Sequence, residues 1–229
     1  MTAHRGSVAV VTGGARGLGV EICRQLAQAG IIVWCTARTI ERAESTAEQL
    51  GRAGDVRAAR LDVTDADSVR ALADRLDRLD ILVNNAAIDY DTDASALSVD
   101  LARVHRALDT NLMGAWRTAQ AFAGRLRASD HGRLVNVSSQ AGAISEMGGG
   151  LPAYHVSKLA LNGLTRMMAD ELHADRVLVN AVCPGWTATD MGGGGRPVPE
   201  GARSVVWACL LDDDGPTGGF FRDGRPLAW

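Results

Sequence analysis

A tyrosine and a lysine four positions apart, Tyr154 and Lys158, can move a proton if they lie on a helix, because side chains at i and i+4 share one face. A free phenol ionises near pH 10, too high for efficient proton exchange at neutral pH. A neighbouring ammonium favours the phenolate and lowers that value, so the spacing predicts a tuned general acid or base. Lys158 is also the only lysine among 24 basic residues, the rest being arginine. A compact ammonium kept in an arginine-using chain suggests a task that a planar guanidinium cannot perform. Taken alone, the spacing also arises by chance on helices, so the surrounding residues decide.

Those surroundings supply an oxygen-binding hydroxyl. The apolar run Arg133–Ser138 reads as a strand ending in Ser138-Ser139, and open α/β sheets bind ligands at the carboxyl ends of their strands. Ser139 is the candidate to hold a substrate carbonyl and stabilise its developing negative charge; Ser138 could instead satisfy backbone at the strand end. Asn111 falls within a long helical stretch, Leu101–Leu126, where asparagine is a poor helix former, and joins Ser139, Tyr154 and Lys158 as a catalytic candidate.

A second site lies near the start of the chain. Thr12–Gly19 reads T-G-G-A-R-G-L-G between an apolar β-branched run, Ser7–Thr12, and a helical one, Val20–Ala29. Gly13 permits a tight turn, Gly17 a close approach of backbone to a pyrophosphate, and Gly19 close helix–sheet packing; Leu18 completes the turn. The helix start offers free N–H groups and a favourable dipole to phosphate. At the end of the second strand, Ile31–Thr36, Ala37 stands where NAD users place a carboxylate, and Arg38 follows. Arg16 and Arg38 together suit a 2′-phosphate, so NADPH is the expected cofactor.

The elements that position these residues alternate. Further strands read over Val56–Asp62, Ile81–Asn84, Val177–Val182 and the tail Gly218–Trp229; helices read over Glu41–Arg52, Asp67–Leu79, Tyr154–His173 and Pro199–Leu211. Strands alternating with helices of this length make βαβ units, and right-handed crossovers wind them into a Rossmann-type, doubly wound parallel α/β sheet of about seven strands with helices on both faces. No linker or internal repeat divides residues 1–229, which read as one dinucleotide-binding and catalytic domain. The glycine clusters Gly148–Gly150 and Gly192–Gly195 read as loops over the site.

Composition agrees. Hydrophobic residues are 46% and charged residues 22% of the chain, which is globular rather than disordered. A net charge of −3 argues against nucleic acid or an anionic membrane as a partner. The four scattered cysteines lack C-x-x-C or zinc spacing, which predicts buried thiols in a reducing, cytoplasmic setting and no metal. The first apolar run is too short, and too soon broken by glycine, for a signal peptide or membrane span.

Along nearly its whole length the sequence resembles the classical short-chain dehydrogenase/reductase family. The resemblance is carried by Thr12–Gly19, Asp62-Val63, Asn84-Asn85-Ala86-Ala87, Asn111, Ser139, Tyr154/Lys158 and Asn180-Ala181-Val182-Cys183-Pro184-Gly185. In this order they are far more specific than any one alone. The resemblance implies that Asp62 and Val63 bracket the adenine and that Asn84 to Ala86 line the cofactor. It implies that Lys158 binds the nicotinamide ribose and that Asn111 holds a water in a proton relay. Pro184, Gly185 and Thr187 would contact the nicotinamide, and Thr189 would lie near the phosphates. Thr36-Ala37-Arg38, Cys183–Met191 and the glycine-rich tail from Gly215 look most like carbonyl reductases.

Three departures stand out: Ala87 where glycine is usual, a slightly long spacing from Ser139 to Tyr154, and a short, glycine-rich segment after Met191 where many relatives carry a helical lid. Substrate contacts are expected among Asp89–Asp91, Gln140–Met147 (chiefly Gln140 and Met147), Trp186 and Met191, which favours a hydrophobic or aromatic carbonyl compound or its alcohol. The expected reaction is NADPH-dependent reduction of a ketone, aldehyde or quinone, with Tyr154 as proton donor. An epimerase or dehydratase using the same tyrosine, or a non-catalytic nucleotide-binding homologue, are the competing readings. The resemblance also implies a homodimer or homotetramer.

Overall fold

Continuous burial along the central strands organises the molecule, whose computed structural model describes residues 4–189 and 193–229. The strands are β1 (Val8–Val11), β2 (Ile32–Ala37), β3 (Val56–Arg60), β4 (Ile81–Asn84), β5 (Arg133–Val137), β6 (Leu178–Val182), β7 (Phe220–Arg222) and β8 (Arg225–Pro226). They form one sheet in the order β3-β2-β1-β4-β5-β6-β7-β8. Every neighbouring pair is parallel except β7–β8.

Because strand side chains alternate faces, Val10, Leu82, Leu134 and Val179 point to one side and Val11, Val83, Val137 and Val182 to the other, each set buried in its own core. Helices α3 (Ala66–Arg75), α5 (Gly114–Arg127) and α6 (Pro152–Glu171) cover the first face with Leu72, Phe122 and Leu161. Helices α1 (Gly17–Gln28) and α7 (Val198–Cys209) cover the second with Ile22, Leu26 and Val205. Helix α2 (Ile40–Leu50) joins β2 to β3. The doubly wound parallel sheet is thus the expected architecture, with one more strand than expected.

Three local differences have physical reasons. The tail is a hairpin rather than a single strand, because Asp223 and Gly224 both take positive φ (53° and 74°); this is the Asp-Gly turn that reverses a two-residue connection. The helix after Asp65 is capped by that side chain, which accepts from the amides of Asp67 and Ser68, and it ends before Leu76, which is extended. The long helical stretch is broken into α4 (Leu101–Leu108), a π-helical turn over Asp109–Met113, and α5. Single π turns of this kind recur at functional sites. Among the described residues no helix is long and apolar enough to cross a membrane, and all four cysteines are buried and free.

Candidate active site

Strand order reverses between β1 and β4, and a crevice forms where the chain leaves adjacent strands in opposite directions. A cleft of about 670 Å³ occupies this edge and runs on past the ends of β5 and β6.

At one end is the glycine turn, of which Gly13, Arg16, Gly17, Leu18 and Gly19 all line the cleft. Gly13 has φ +61°, and a Cβ there would stand 3.1 Å from the Ala86 Cα. A Cβ on Gly19 would stand only 2.2 Å from the Gly13 carbonyl oxygen. Gly19 therefore lets the turn fold onto itself, which is more local than the helix–sheet packing expected of it. Helix α1 starts without a side-chain cap or an acidic residue in its first turn, so its end is electrostatically suited to an anion.

The Thr12 hydroxyl oxygen accepts from the amides of Asn85 and Ala86, both at 3.0 Å. The Asn85 side-chain amide donates to the carbonyls of Thr12 (2.9 Å) and Gly13 (3.1 Å). Asn85 and Ala86 line the cleft, but Asn84 does not. As the last residue of β4 it turns into the protein, donating to Asn136 (2.9 Å) and Ala115 and accepting from Thr118 (2.7 Å). The expectation that Asn84 contacts a cofactor is corrected to a buried bridge between β4, β5 and α5.

Asp62 and Val63 line the cleft beyond the turn. Burial opposes ionisation of Asp62, but bonds from Thr64 and the nearby Arg38 and Arg60 hold its carboxyl below the usual value. Strand β2 ends without a carboxylate, and Arg38 lines the wall together with Arg42, which the sequence had not singled out. Arg16 reaches across the crevice, its Nη2 donating to the Ala87 carbonyl at 3.2 Å.

At the other end Ser139, Tyr154 and Lys158 share the cleft wall. Strand β5 delivers the serine, whose Oγ accepts from the Ala141 amide at 3.2 Å. Ser138 faces inward and donates to Asn162 at 2.6 Å. The lysine Nζ donates to the Val137 carbonyl at 2.8 Å and lies 5.6 Å from the centre of the Tyr154 ring. Burial pushes the Tyr154 phenol well above its ordinary value, opposed by a hydrogen bond with Ser139. Burial pulls Lys158 down to about 8. The phenol is thus raised by burial, where the spacing predicts one lowered by the lysine.

Asn111 is buried behind this wall and is not on it. Its amide donates to Ser157 Oγ (3.0 Å) and to the Ile88 carbonyl (3.0 Å), while its oxygen accepts from the Ile88 amide (2.8 Å). Ser157 in turn donates to the Tyr154 carbonyl at 2.8 Å. The π turn brings Asn111 to these partners, so its side chain braces the loop after β4 against the tyrosine helix.

Of Asp89–Asp91, only Tyr90 reaches the cleft, packing edge-on against Tyr154 with centroids 5.1 Å apart. Asp89 is held by Arg103. Asp91 is fully buried and accepts from the amides of Ala153 (2.9 Å) and Tyr154 (3.2 Å), capping α6 from another segment. Gln140, Trp186, Pro184, Gly185, Thr187 and Thr189 line the cleft; Met147 does not, because a short helical turn over Ile144–Glu146 carries it past the edge. Met191 lies outside the described residues. Gly149 and Gly150 do not cover the site either: they pair with Ala96 and Ser95. Arg222, at the end of β7, lines the cleft and was not anticipated.

A family model described as short chain dehydrogenase matches residues 7–197. The carbonyl reductase [NADPH] 1 of Sus scrofa is 33% identical, with 97% of this chain and 94% of that protein covered. The 3-oxoacyl-[acyl-carrier-protein] reductase of Synechocystis sp. is 35% identical over 83% of this chain and 78% of that protein. Among solved structures, an NADPH-bound carbonyl reductase from chicken fatty liver superposes with a TM-score of 0.88 at 27% identity, covering 98% of this chain and 100% of that one. With a glycine turn, a strand-end serine and a Y-x-x-x-K helix gathered at one cleft, the chain belongs to the short-chain dehydrogenase/reductase family of oxidoreductases and is carbonyl reductase-like among them.

Proposed function

We propose that the protein is an NADPH-dependent reductase of a ketone, aldehyde or quinone, with residues 1–229 acting as one cofactor-binding and catalytic unit. The observation that carries this reading is the single wall shared by Ser139, Tyr154 and Lys158 at the carboxyl edge of the sheet.

The residues present fit the cofactor. Gly13 and Gly19 let the turn pack tightly against Ala86 and onto itself, and the uncapped start of α1 faces the same turn. Arg38 and Arg42 offer guanidinium groups to a 2′-phosphate where a carboxylate would favour NADH. Pro184, Gly185 and Thr187 would hold the nicotinamide side, and Thr189, beside Gly17 of the glycine turn, would lie near the phosphates. When bound, NADPH supplies the hydride. Ser139 and Tyr154 hydrogen-bond the substrate carbonyl oxygen, and Tyr154 gives that oxygen its proton. An ammonium has three N–H donors; Lys158 uses one on Val137, leaving others for a ribose hydroxyl and for returning a proton to the phenolate. Asn111 keeps the tyrosine helix in register with the loop after β4, and a relay water held by it is part of the same reading. The NADPH-bound and carbonyl reductase relatives support this assignment.

The exposed apolar residues Val156 and Met167 of α6 support pairing of two chains through this helix; a single-chain mass by gel filtration would contradict that. The central test is NADPH consumption with a carbonyl panel. Tyr154→Phe should lower kcat by about 10²–10⁴-fold while NADPH still quenches tryptophan fluorescence. Turnover at the wild-type rate would overturn the assignment.

A further inference from the structure

Most arginines near the cleft are accounted for by a neighbouring carboxylate or by the cofactor end. Arg222 is not. It ends β7, whose Phe221 pairs with Val182, and the Cys183 amide donates to the Phe221 carbonyl at 2.8 Å. This places Arg222 beside the end of β6, on the cleft wall. Its Nη1 donates to Gln140 Oε1 at 2.8 Å, and Gln140 directly follows Ser139. The guanidinium thus shares the cleft wall with Ser139, the residue assigned to the substrate oxygen.

Charge balance around it is one-sided. Among the described residues lining the cleft, the only carboxylate is Asp62, at the adenine end. The adjacent Asp223 is engaged by Arg196 through Nη1 (2.9 and 3.0 Å) and Nη2 (3.0 Å). Directly opposite Arg222 in the β7–β8 hairpin is another cation, Arg225, and like charges facing each other across a strand pair are unfavourable. A half-buried guanidinium with a like charge opposite it is an arrangement that an arriving anion relieves.

Resting on the reductase reading, we propose that the carbonyl substrate carries a carboxylate, bound by Arg222 and Gln140. A guanidinium presents five N–H donors in a planar fork matched to two carboxylate oxygens. Because Gln140 accepts through Oε1, its NH₂ end remains a donor. Two donor groups side by side suit a group that only accepts. Tyr90 and Trp186 on the same cleft suit an apolar, flat body between the carboxylate and the reducible carbon. The class is an aromatic or similarly apolar oxo acid, taken up as its anion.

The experiment compares terephthalaldehydic acid with its methyl ester, which has the same aldehyde and no charge. With NADPH, the wild type should show kcat/KM about tenfold or more higher for the acid. In Arg222→Gln the acid-to-ester ratio should fall to near unity. A wild-type ratio at or below unity, or a ratio kept by the variant, overturns the proposal. Calorimetric binding of the reduced alcohol of the acid to the cofactor-loaded protein gives a readout without turnover, and affinity should drop about tenfold or more in Arg222→Gln. Binding through Arg222 without reduction of either aldehyde would retain the anion site and reject the reductase reading. Reduction of the ester without Arg222-dependent binding would do the reverse.

Discussion

Tyr154 and Lys158 are both pushed by burial toward their uncharged forms, and this sets how the site should respond to pH. With the phenol raised and the lysine near 8, the first group lost on the alkaline side is the lysine proton. Reduction needs that proton for return to the tyrosine, so kcat for reduction is expected to fall as pH rises through about 8; a rate flat to pH 10 would contradict the role given to Lys158. Stability runs in the opposite direction. A lysine whose folded value lies below its usual 10.5 leaves the unfolded chain holding more protons between those two values, so this group makes unfolding harder as pH climbs from about 8 toward 10.5. Lys158→Met should flatten that segment of the denaturation profile. The pair was legible in the sequence because helical spacing alone puts i and i+4 on one face. Asn84 and Asn85 were not separable, because which of two adjacent residues turns toward the cleft depends on where β4 stops pairing. Arg222 was not legible either, since only the completed sheet carries β7 to the end of β6.

Elements hold these side chains through a few contacts between distant segments. Helix α6 follows Leu151, which sits in the left-handed region (φ 54°) and offers no side-chain cap, and Asp91 supplies one. Asp91→Ala leaves two buried amides unsatisfied, at about 1–3 kcal/mol each. The expected outcome is a lower denaturation midpoint and, at temperatures where the variant stays folded, a reduced kcat with little change in NADPH affinity. Equal loss of cofactor binding would show that the effect is global. The glycine turn is tighter still. Gly19→Ala would set a methyl 2.2 Å from the Gly13 carbonyl oxygen, and NADPH affinity measured by fluorescence titration should drop more than about tenfold. The strands and helices were mostly readable from periodicity, but the π turn was not. Asn111 marked a poor helical position, yet a change from one hydrogen-bond register to another leaves no mark in residue type.

At the scale of the whole molecule, two cores pack against opposite faces of one sheet, and the cleft lies where strand order reverses. A ligand in that cleft touches segments following β1, β2, β3, β4, β5 and β6, so binding must stabilise the sheet as a unit. At a hundredfold excess over its Kd, NADPH should add about 2.7 kcal/mol, which for a chain of this size is roughly 5–10 °C in Tm by scanning calorimetry. NADH at equal concentration should give a smaller shift; an equal one would contradict the role given to Arg38 and Arg42. The doubly wound order was legible from alternation and handedness, whereas the final hairpin depended on reading Asp223-Gly224 as a reversal.

The sole lysine of the chain is buried on the cleft wall beside Tyr154. The described surface therefore offers acylating labels, aldehyde fixatives and amine-directed cross-linkers no side-chain ammonium. Label found on Lys158 would report that the reagent had entered the cleft, which makes modification of that residue a direct gauge of cofactor protection.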